Sequence, residues 1–462
     1  MSTGAATIPA AHWRQRVVNA LMVTIVVAAV LDILRPGTMP PWGFVAPILA
    51  ALILNARNLK PGGALTLLAV ALVLAADVIW FRHDLSEVGR RAGLLYALFV
   101  SLKAMGQIAS LKPEIRAVAD VVTRQPPRRS YLALTLGTHL LGLVLNFGSV
   151  VLVASMLAPR LKVIEAPARQ RSMIVAVFRG FAATPLWSPL SIAPVIILGG
   201  VASVSYYTYM PVGLALALGF LWLGYVLDGS RGAGQGVPAK ALSAAELRAL
   251  YLFLLNVVLL VGLPLALNGL LSMRMIDAVL LSVLTITMLW LLLLPGAEFI
   301  AWLRDINRGD LPGNAVENEL AILVGAAVLG ALVALQLSNT RAFGVGELGR
   351  STVIVLSFCL PLLIFAPAMI AINPIVTGTF LAEVLSAVWP ETAAIWLVAG
   401  LLAGWTIATS GTPFTANLLL GSRIVGQRTV RVALHWNAAQ SLIALAAGGG
   451  ICALGSAWAT AG

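Results

Sequence analysis

Apolar runs, each about as long as a membrane-crossing helix, follow one another along the whole sequence. A helix needs about 20 apolar residues to cross roughly 30 Å of hydrocarbon. Because only 10% of the 462 residues are charged, against about 25% in a soluble domain, the chain has too little polar surface to cover itself in water. We therefore predict an all-α, polytopic membrane protein with about 11 transmembrane spans and two re-entrant hairpins. The runs lie at about 17–34, 42–56, 62–81, 92–111, 131–158, 173–200, 206–227, 249–268, 275–296, 318–337, 352–388, 392–421 and 431–455.

The sequence shows no pattern of a disulfide framework or of a metal site. Cys359 and Cys452 both lie in apolar runs, and the four histidines are scattered. We predict no cofactor and no metal beyond sodium as a coupling ion. Arg14 and Arg16 precede the first run as in a signal peptide, but further spans follow and no small-residue cleavage site is evident. We therefore interpret the first run as a retained helix.

The net charge of +12 is placed as in a membrane protein and predicts no nucleic-acid partner. With the N-terminus inside, and with 131–158 and 352–388 each entering and leaving on one face, most loop lysines and arginines lie inside. A full crossing at 131–158 would instead place the basic loops before and after it on opposite faces. We predict a multi-pass protein of the bacterial inner membrane, with a cytoplasmic N-terminus and the C-terminus outside.

Two kinds of polar interruption occur twice at nearly the same spacing. Asn146 and Asn373 interrupt two apolar runs and lie 227 residues apart, and Thr184 and Thr412, each followed by proline, lie 228 apart. We interpret this as two inverted repeats, each with three spans, a hairpin, a broken helix and a last span. The predicted segments are an extra helix at 1–36, repeat 1 at 37–228 with hairpin 131–158 and broken helix 173–200, a cytoplasmic linker at 229–247, and repeat 2 at 248–462 with hairpin 352–388 and broken helix 392–421.

These interruptions indicate where a solute binds, because irregular backbone at membrane depth is tolerated only where it lines a buried, hydrated site. Thr184-Pro185 and Thr412-Pro413 each read as an N-cap followed by proline at the first helical position. The second hairpin arms restart near Ser149 and Thr379 by the same interpretation. Four helix N-termini would form a pocket suited to an anion, while Asn and Thr oxygens suit sodium. The alternative is that Gly and Pro merely kink these helices for packing.

Two charged residues inside runs have alternative interpretations. Arg179 has three possible roles. It is a cation that faces the anion, a cation that switches between the pocket and a protein partner, or a side chain that extends to the inner membrane interface. Glu383 either pairs with a cation or carries a proton.

Three further sets of side chains are expected to be structural. We favour a structural role for Lys103, with Gln107 one turn on. His139 is more often a packed, hydrogen-bonded side chain than a proton relay. The tyrosines at 206, 207 and 209 fit an outer aromatic belt.

In this arrangement the chain resembles the ion transporter superfamily, in particular the divalent anion:sodium symporters. That family has an extra first helix and two inverted repeats, each with a re-entrant hairpin and an unwound helix. Its unwound helix often contains Gly-Thr-Pro-Pro-Asn, of which this chain keeps Gly411-Thr412-Pro413. Its hairpin tips typically read Ser-Asn-Thr, whereas the tips here begin with Asn146 and Asn373.

The resemblance implies two sets of site residues, together with a homodimer and an elevator-like movement. With Arg179, the expected substrate residues are Asn146, Gly148, Ser149, Asn373, Thr377 and Thr379. The expected cation residues are Thr184, Ser188, Ser410, Thr412, Thr415 and Asn417.

We therefore predict a secondary transporter, not an enzyme, that couples Na⁺ or H⁺ to symport of a small anion, either a carboxylate or an oxyanion. One alternative is a Na⁺/H⁺-type exchanger or an anion exporter, but an exchanger needs a midplane carboxylate and the broken helices carry none. A membrane enzyme acting on lipid-linked substrates, a channel and an accessory membrane subunit are alternatives from other classes.

Overall fold

The structure, a computed structural model, describes residues 8–40, 42–59, 61–77, 79, 84–228, 241–296, 298–300, 302, 313–341 and 346–461. Across these ranges the secondary structure is helical, which confirms the all-α, polytopic fold class. Among the described residues, eight helices are long and apolar enough to cross a membrane: Trp13–Leu34, Ser86–Leu111, Tyr206–Val226, Ala244–Leu271, Met275–Leu292, Arg350–Ala368, the broken Glu391–Ile424 and Ala438–Ala459.

The helices of the first half follow the predicted runs, with one addition. Helix α5 occupies part of the basic segment, in which no element was predicted. In chain order they are α1 (Ile8–Leu34), α2 (Trp42–Asn55), α3 (Pro61–Ala76), α4 (Ser86–Leu111), α5 (Pro113–Thr123), α6 (Pro127–Leu145), α7 (Phe147–Leu161), α8 (Pro167–Ala182), α9 (Ile192–Gly200) and α10 (Tyr206–Val226).

The second half contains the corresponding helix pair and broken helix. A 3₁₀ turn at Glu391–Ala393 precedes the broken helix, and a π-helical turn at Arg431–Trp436 follows it. The helices are α11 (Ala244–Leu271), α12 (Met275–Leu292), α13 (Gly313–Arg341), α14 (Arg350–Ala368), α15 (Pro374–Ser386), α16 (Ala394–Gly411), α17 (Ala416–Ile424) and α18 (Ala438–Ala459).

The arms of the two helix pairs are short for membrane crossings. Helix α7 has 15 residues and α15 has 13, so at 1.5 Å per residue they extend over only about 20 Å, against roughly 30 Å of hydrocarbon. Each pair turns at an asparagine, Asn146 between α6 and α7 and Asn373 before α15. The short second arms fit the hairpin interpretation, although the depth of the pairs in a bilayer remains a prediction.

The packing of the two halves is reciprocal. The first arm of each pair packs on the broken helix of its own half, α6 on α8 and α14 on α16. The second arm of each pair packs on the second part of the other half's broken helix, α7 on α17 and α15 on α9. This exchange brings both tips and both breaks to the middle of the molecule.

A glycine permits the closest approach of first arm and broken helix in each half. A Cβ built on Gly180 would lie 2.2 Å from the Thr135 carbonyl oxygen, and one on Gly404 would lie 2.6 Å from the Pro361 carbonyl oxygen. Both distances are far below van der Waals contact, so only glycine fits without a backbone shift.

The helices restart later in both breaks than the Thr-Pro pairs predict. Helix α9 begins at Ile192, after a 3₁₀ turn at Thr184–Leu186, and α17 begins at Ala416. Because Pro189 lacks an N–H and restricts the residue before it, an α-helix that started at Pro185 could not continue smoothly past Ser188. The second arms restart slightly earlier than the predicted Ser149 and Thr379, at Phe147 and Pro374.

Some sequence predictions concern residues outside the described part of the chain. Most of the predicted linker at 229–247 is among them, although Ser243 and Glu246 are described and form a capping box at the start of α11. The repeat boundaries remain predictions. The orientation of the chain also remains a prediction. Six of the basic residues on which it depends lie outside the described residues: Lys60, Arg82, Arg231, Lys240, Arg304 and Arg308.

Candidate functional site

A cavity of about 360 Å³ lies where both tips and both breaks meet. Its lining includes the first residue of four helices, Phe147 of α7, Ile192 of α9, Pro374 of α15 and Ala416 of α17. The first turn of a helix has N–H groups without intrahelical acceptors and carries about half a positive charge. Four such ends at one cavity favour a negatively charged or electron-rich ligand there.

Six of the thirteen predicted site residues line this cavity, and the others lie around it. Those that line it come from both tips and both breaks: Asn146, Thr184, Asn373, Thr412, Thr415 and Asn417. The lining does not include Gly148, Ser149, Arg179, Ser188, Thr377, Thr379 or Ser410.

The cavity wall is more aromatic than the sequence suggested. Five aromatic side chains line it, and none of the described lining residues is an Asp, Glu, Lys, Arg or His. Four of these rings come from the separate helices α4, α7, α8 and α16, and the fifth lies in the second break, so no local motif indicated that all five would meet. The aromatic lining residues are Phe99, Phe147, Phe181, Trp405 and Phe414.

The two tips use their asparagines differently. Asn146 has a positive φ of 49°, and its carbonyl oxygen accepts from the Ser149 N–H (3.0 Å) and hydroxyl (2.7 Å). At the other tip, Asn373 Oδ1 accepts from the Ile375 N–H at 2.9 Å and caps α15. The buried hydroxyl of Thr379 donates to the Ile375 carbonyl at 2.6 Å. Ser149 and Thr379 therefore support the tips from behind the cavity.

Two other tip residues predicted to bind substrate also lie outside the cavity wall. Gly148 lines a neighbouring cavity, and Thr377 Oγ1 lies 3.5 Å from the Pro374 carbonyl oxygen.

The threonines of the breaks satisfy the preceding helix rather than capping the next one. Thr184 Oγ1 donates to the Phe181 carbonyl oxygen at 2.8 Å, and Thr412 Oγ1 donates to the Ala408 carbonyl oxygen at 2.9 Å. Each threonine hydroxyl thus closes the last turn of the half-helix that precedes it. The lone pairs of the hydroxyl oxygen are still able to accept a hydrogen bond or bind a cation. The N-cap interpretation of these two threonines was therefore wrong. Ser188, in the same break as Thr184, accepts from the Leu190 N–H at 3.2 Å.

Two tyrosines of α10 hold the unwound part of the first break. The Tyr209 hydroxyl donates to the Leu186 carbonyl oxygen at 2.8 Å, and the Tyr206 hydroxyl donates to the Trp187 carbonyl oxygen. Both tyrosines are buried, whereas Tyr207 is exposed. The interpretation of all three as an outer aromatic belt is therefore wrong for Tyr206 and Tyr209.

The second break gathers oxygen atoms around one carbonyl in the last turn of α16. The Thr409 carbonyl oxygen accepts from Asn417 Nδ2 at 3.0 Å and from Thr415 Oγ1 at 3.2 Å. Because the Asn417 amide nitrogen is used in this way, its Oδ1 is the group able to bind a cation. Hard cations bind to carbonyl and amide oxygens of this kind.

The described part of the chain contains no cluster of three or more His, Cys, Asp or Glu side chains that could hold a metal ion.

Arg179 is buried beside the breaks instead of lining the cavity. Its guanidinium donates to Asn437 Oδ1 (2.8 Å), the Tyr131 hydroxyl (3.1 Å) and the carbonyl oxygens of Gly224 and Trp436 (both 3.2 Å). Asn437 Nδ2 in turn donates to the Ser410 carbonyl at 3.2 Å. This network connects the first broken helix to the second.

Glu383 and His139 both have partners. Arg91 Nη1 of α4 lies 2.5 Å from Glu383 Oε1 of α15, so the carboxylate that could have carried a proton forms an ion pair outside the cavity wall. His139 Nε2 accepts from Trp187 Nε1 at 3.1 Å, which leaves Nδ1 to donate to the Gly180 carbonyl at 3.1 Å. His139 is packed and hydrogen-bonded, as expected.

No protein-family model matches the chain, and no curated protein matches it in sequence. Among solved structures it is similar to the YdaH transporter of Alcanivorax borkumensis, whose crystal structure is described as having an unusual topology. The two are 14% identical, the match covers 78% of this chain and 84% of that one, and the TM-score is 0.45. We draw no functional conclusion from a similarity of this size, and the resemblance to divalent anion:sodium symporters remains a prediction.

Proposed function

We propose that this membrane protein is a secondary transporter that binds a small organic anion in the central cavity. The observation that carries the proposal is the meeting of four helix N-termini, two from each half, at one cavity without charged lining side chains among the described residues. Helix ends can hold an anion without the permanent cation that would keep it bound. A transporter needs such a site because its ligand must also leave.

The walls favour an organic anion over an inorganic one. Five aromatic rings surround the polar ends, and the volume of about 360 Å³ lies in the range of small-ligand pockets. Sulfate or phosphate would leave the aromatic surface without a partner. A carboxylate with an apolar body would contact both the helix N-termini and the aromatic rings. We therefore favour a carboxylate from the two substrate classes that the sequence predicts.

Cation coupling is assigned to the second break. Thr412, Thr415 and Asn417 line the cavity beside the Thr409 carbonyl in the last turn of α16, and sodium bound to their oxygens would add positive charge next to the anion. Movement of the helix pairs against the remaining helices, and a homodimer, follow from the family resemblance and belong to the proposal.

The nearest alternative on the same fold is a Na⁺/H⁺-type exchanger. The acid that lies well inside a hairpin is Glu383, which pairs with Arg91. This pairing favours the symporter.

Thermal unfolding of the purified protein, with carboxylates and oxyanions added one at a time with and without sodium, tests the proposal. A ligand that binds only the folded state raises the unfolding midpoint. We expect one carboxylate to raise it, and more so in sodium. A response to pH or sodium with none to any anion would overturn the proposal and favour the exchanger.

A further inference from the structure

A basic surface patch lies beside the broken helices, outside the lining of the central cavity. We define it by Arg171 of α8 together with Arg431 and Trp436, and both arginines are exposed. Arg171 Nη2 donates to the Trp436 carbonyl oxygen at 3.3 Å. The guanidinium carbon of Arg431 lies 5.3 Å from the centroid of the Trp436 ring. Two cations from opposite halves of the chain therefore meet at one tryptophan.

The π-helical turn at Arg431–Trp436 brings the second of these cations to the ring. The Asn437 N–H donates to the Val432 carbonyl oxygen, five residues back, at 3.2 Å. In an α-helix, residues three or four apart face each other, so Arg431 and Trp436 would lie on different faces. Turns of this kind are rare and occur mostly at functional sites.

The positive charge of the patch is not balanced by ion pairs among the described residues. No described Asp or Glu pairs with Arg171 or Arg431, including Asp228, which lies near the Arg179 network. Arg179 donates to the same Trp436 carbonyl oxygen at 3.2 Å. Like charges at this separation repel, and an anion held by the exposed pair would offset that repulsion.

The surroundings of the patch fit a lipid better than a soluble anion. Helix α18 begins two residues after Trp436 and is less buried than any other of the eight membrane-crossing helices. Its Leu442 and Ile443, less than two turns from Trp436, are exposed, as is Val430 next to Arg431. A phospholipid would contact both the cations and this apolar surface, whereas free phosphate would contact the cations alone.

We infer that Arg171, Arg431 and Trp436 bind the headgroup phosphate of an anionic phospholipid. Guanidinium groups match phosphate oxygens with paired N–H donors, and tryptophan is enriched at membrane interfaces. In the predicted orientation the patch faces inside, where anionic lipids attract basic residues. The inference is independent of the proposed transport function.

A lipid at the patch would also act on the connection between the two breaks. The Trp436 carbonyl oxygen accepts from both Arg171 and Arg179, and the next residue, Asn437, donates to the Ser410 carbonyl oxygen at 3.2 Å. Fixing the π-helical turn therefore fixes the acceptors that hold Arg179. We expect bound lipid to stabilise the folded protein as well as to occupy its surface.

The test compares two lipids and two pairs of substitutions in the full-length protein, purified in uncharged detergent. Phosphatidylglycerol and phosphatidylcholine with identical acyl chains are titrated, and native mass spectrometry measures the affinity of the first bound lipid. The patch variant is Arg171→Gln, Arg431→Gln. The control variant is Lys162→Gln, Arg248→Gln, which removes the same charge from exposed positions on the same predicted face.

We expect wild type to prefer phosphatidylglycerol and the patch variant to lose that preference. Each basic residue near an anionic lipid contributes about fivefold in affinity, so the patch variant should bind phosphatidylglycerol about thirtyfold more weakly. The control variant should stay within about threefold of wild type, and the affinity for phosphatidylcholine should not change. Phosphatidylglycerol should raise the unfolding midpoint of wild type and of the control variant but not that of the patch variant.

Three results would overturn the inference. These are equal phosphatidylglycerol affinity in wild type and patch variant, an equal loss in the control variant, and stabilisation by soluble glycerol phosphate as large as that by phosphatidylglycerol. The side chain of Arg431 makes no hydrogen bond to the described residues, so Arg431→Gln alone decides the matter if the patch variant does not fold. It should weaken phosphatidylglycerol binding about fivefold. These measurements need no substrate, so they decide the inference even if the proposed function fails.

Discussion

The single residue that most changes the interpretation of the site is Arg179. The sequence offered an anion-facing cation, a switch or a side chain at the inner interface. The structure buries Arg179 to 3% exposure and places its guanidinium among four neutral oxygens, one of them on Asn437, which in turn donates to the second broken helix. Hydrogen bonds from a charged donor are among the stronger ones in a protein interior. Arg179 therefore acts as a positioning residue for the breaks.

Arg179→Lys is expected to destabilise the ligand-free protein. Lysine keeps the charge but loses the planar fork that reaches several oxygens at once, and hydrogen bonds to charged groups contribute about 1.5–3 kcal/mol each. The unfolding midpoint in detergent should fall by several degrees, whereas Arg423→Lys at an exposed position should leave it unchanged. An unchanged ligand-free midpoint with weakened anion binding would instead support the anion-facing interpretation.

Asn373 offers a test of the sign of the ligand charge. Asp and Ser both cap a helix about as well as Asn, so Asn373→Asp and Asn373→Ser should leave stability almost unchanged. Two like charges 4 Å apart repel by about 4 kcal/mol at an effective dielectric constant of about 20. Titration of the anion should show at least about a hundredfold loss of affinity in Asn373→Asp, and much less in Asn373→Ser. Equal effects of the two variants would argue against an anion.

At the scale of elements, the sequence indicates where helices are interrupted better than where they resume. Asn146, Asn373 and the two Thr-Pro pairs mark interruptions that the structure contains. The first break contains Pro185 and Pro189, and Pro194 lies in the first turn of α9. Local rules alone do not decide which of the three prolines marks the start of the next helix. The choice depends on tertiary hydrogen bonds, notably those from Tyr206 and Tyr209 to the unwound carbonyls. The aromatic cavity wall escaped prediction because its rings come from separate elements.

The close contact between the first arm and the broken helix in each half predicts that one glycine per half cannot be replaced by alanine without loss of stability. Gly180→Ala and Gly404→Ala each force a Cβ against a backbone oxygen, and overpacking of this kind costs about 1–3 kcal/mol. Gly219→Ala in α10, where a Cβ meets nothing within 4 Å, should be neutral or stabilising by up to about 1 kcal/mol. The measurement is the thermal unfolding midpoint of the three variants, each compared with wild type. If Gly219→Ala lowers the midpoint as much as the others do, the close approach is not the cause.

At the scale of the whole molecule, composition and run length predicted the all-α membrane fold because burial in lipid constrains every residue of a span. The reciprocal packing of α7 on α17 and α15 on α9 could not be predicted in detail, since it depends on contacts between helices that lie far apart in the sequence. The inverted orientation of the halves is a separate prediction that concerns the membrane.

That orientation predicts opposite labelling of the open ends of the two helix pairs. Lys162 follows α7, Ser351 begins α14, and both are exposed. In a Cys359→Ala, Cys452→Ala background, an impermeant thiol reagent should reach Lys162→Cys from the inner face and Ser351→Cys from the outer face of oriented vesicles. Labelling of both from one face would rule out inverted repeats.

Uptake into proteoliposomes tests the central claim, that a small organic anion moves through the cavity at the four helix ends. The carboxylate that stabilises the protein would be offered outside vesicles with an inward sodium gradient, using wild type and Asn373→Asp. We predict that wild type accumulates the carboxylate above equilibrium, that collapse of the gradient releases it, and that Asn373→Asp accumulates none. No gradient-driven movement by wild type in either direction, or uptake by Asn373→Asp equal to wild type, would contradict the account.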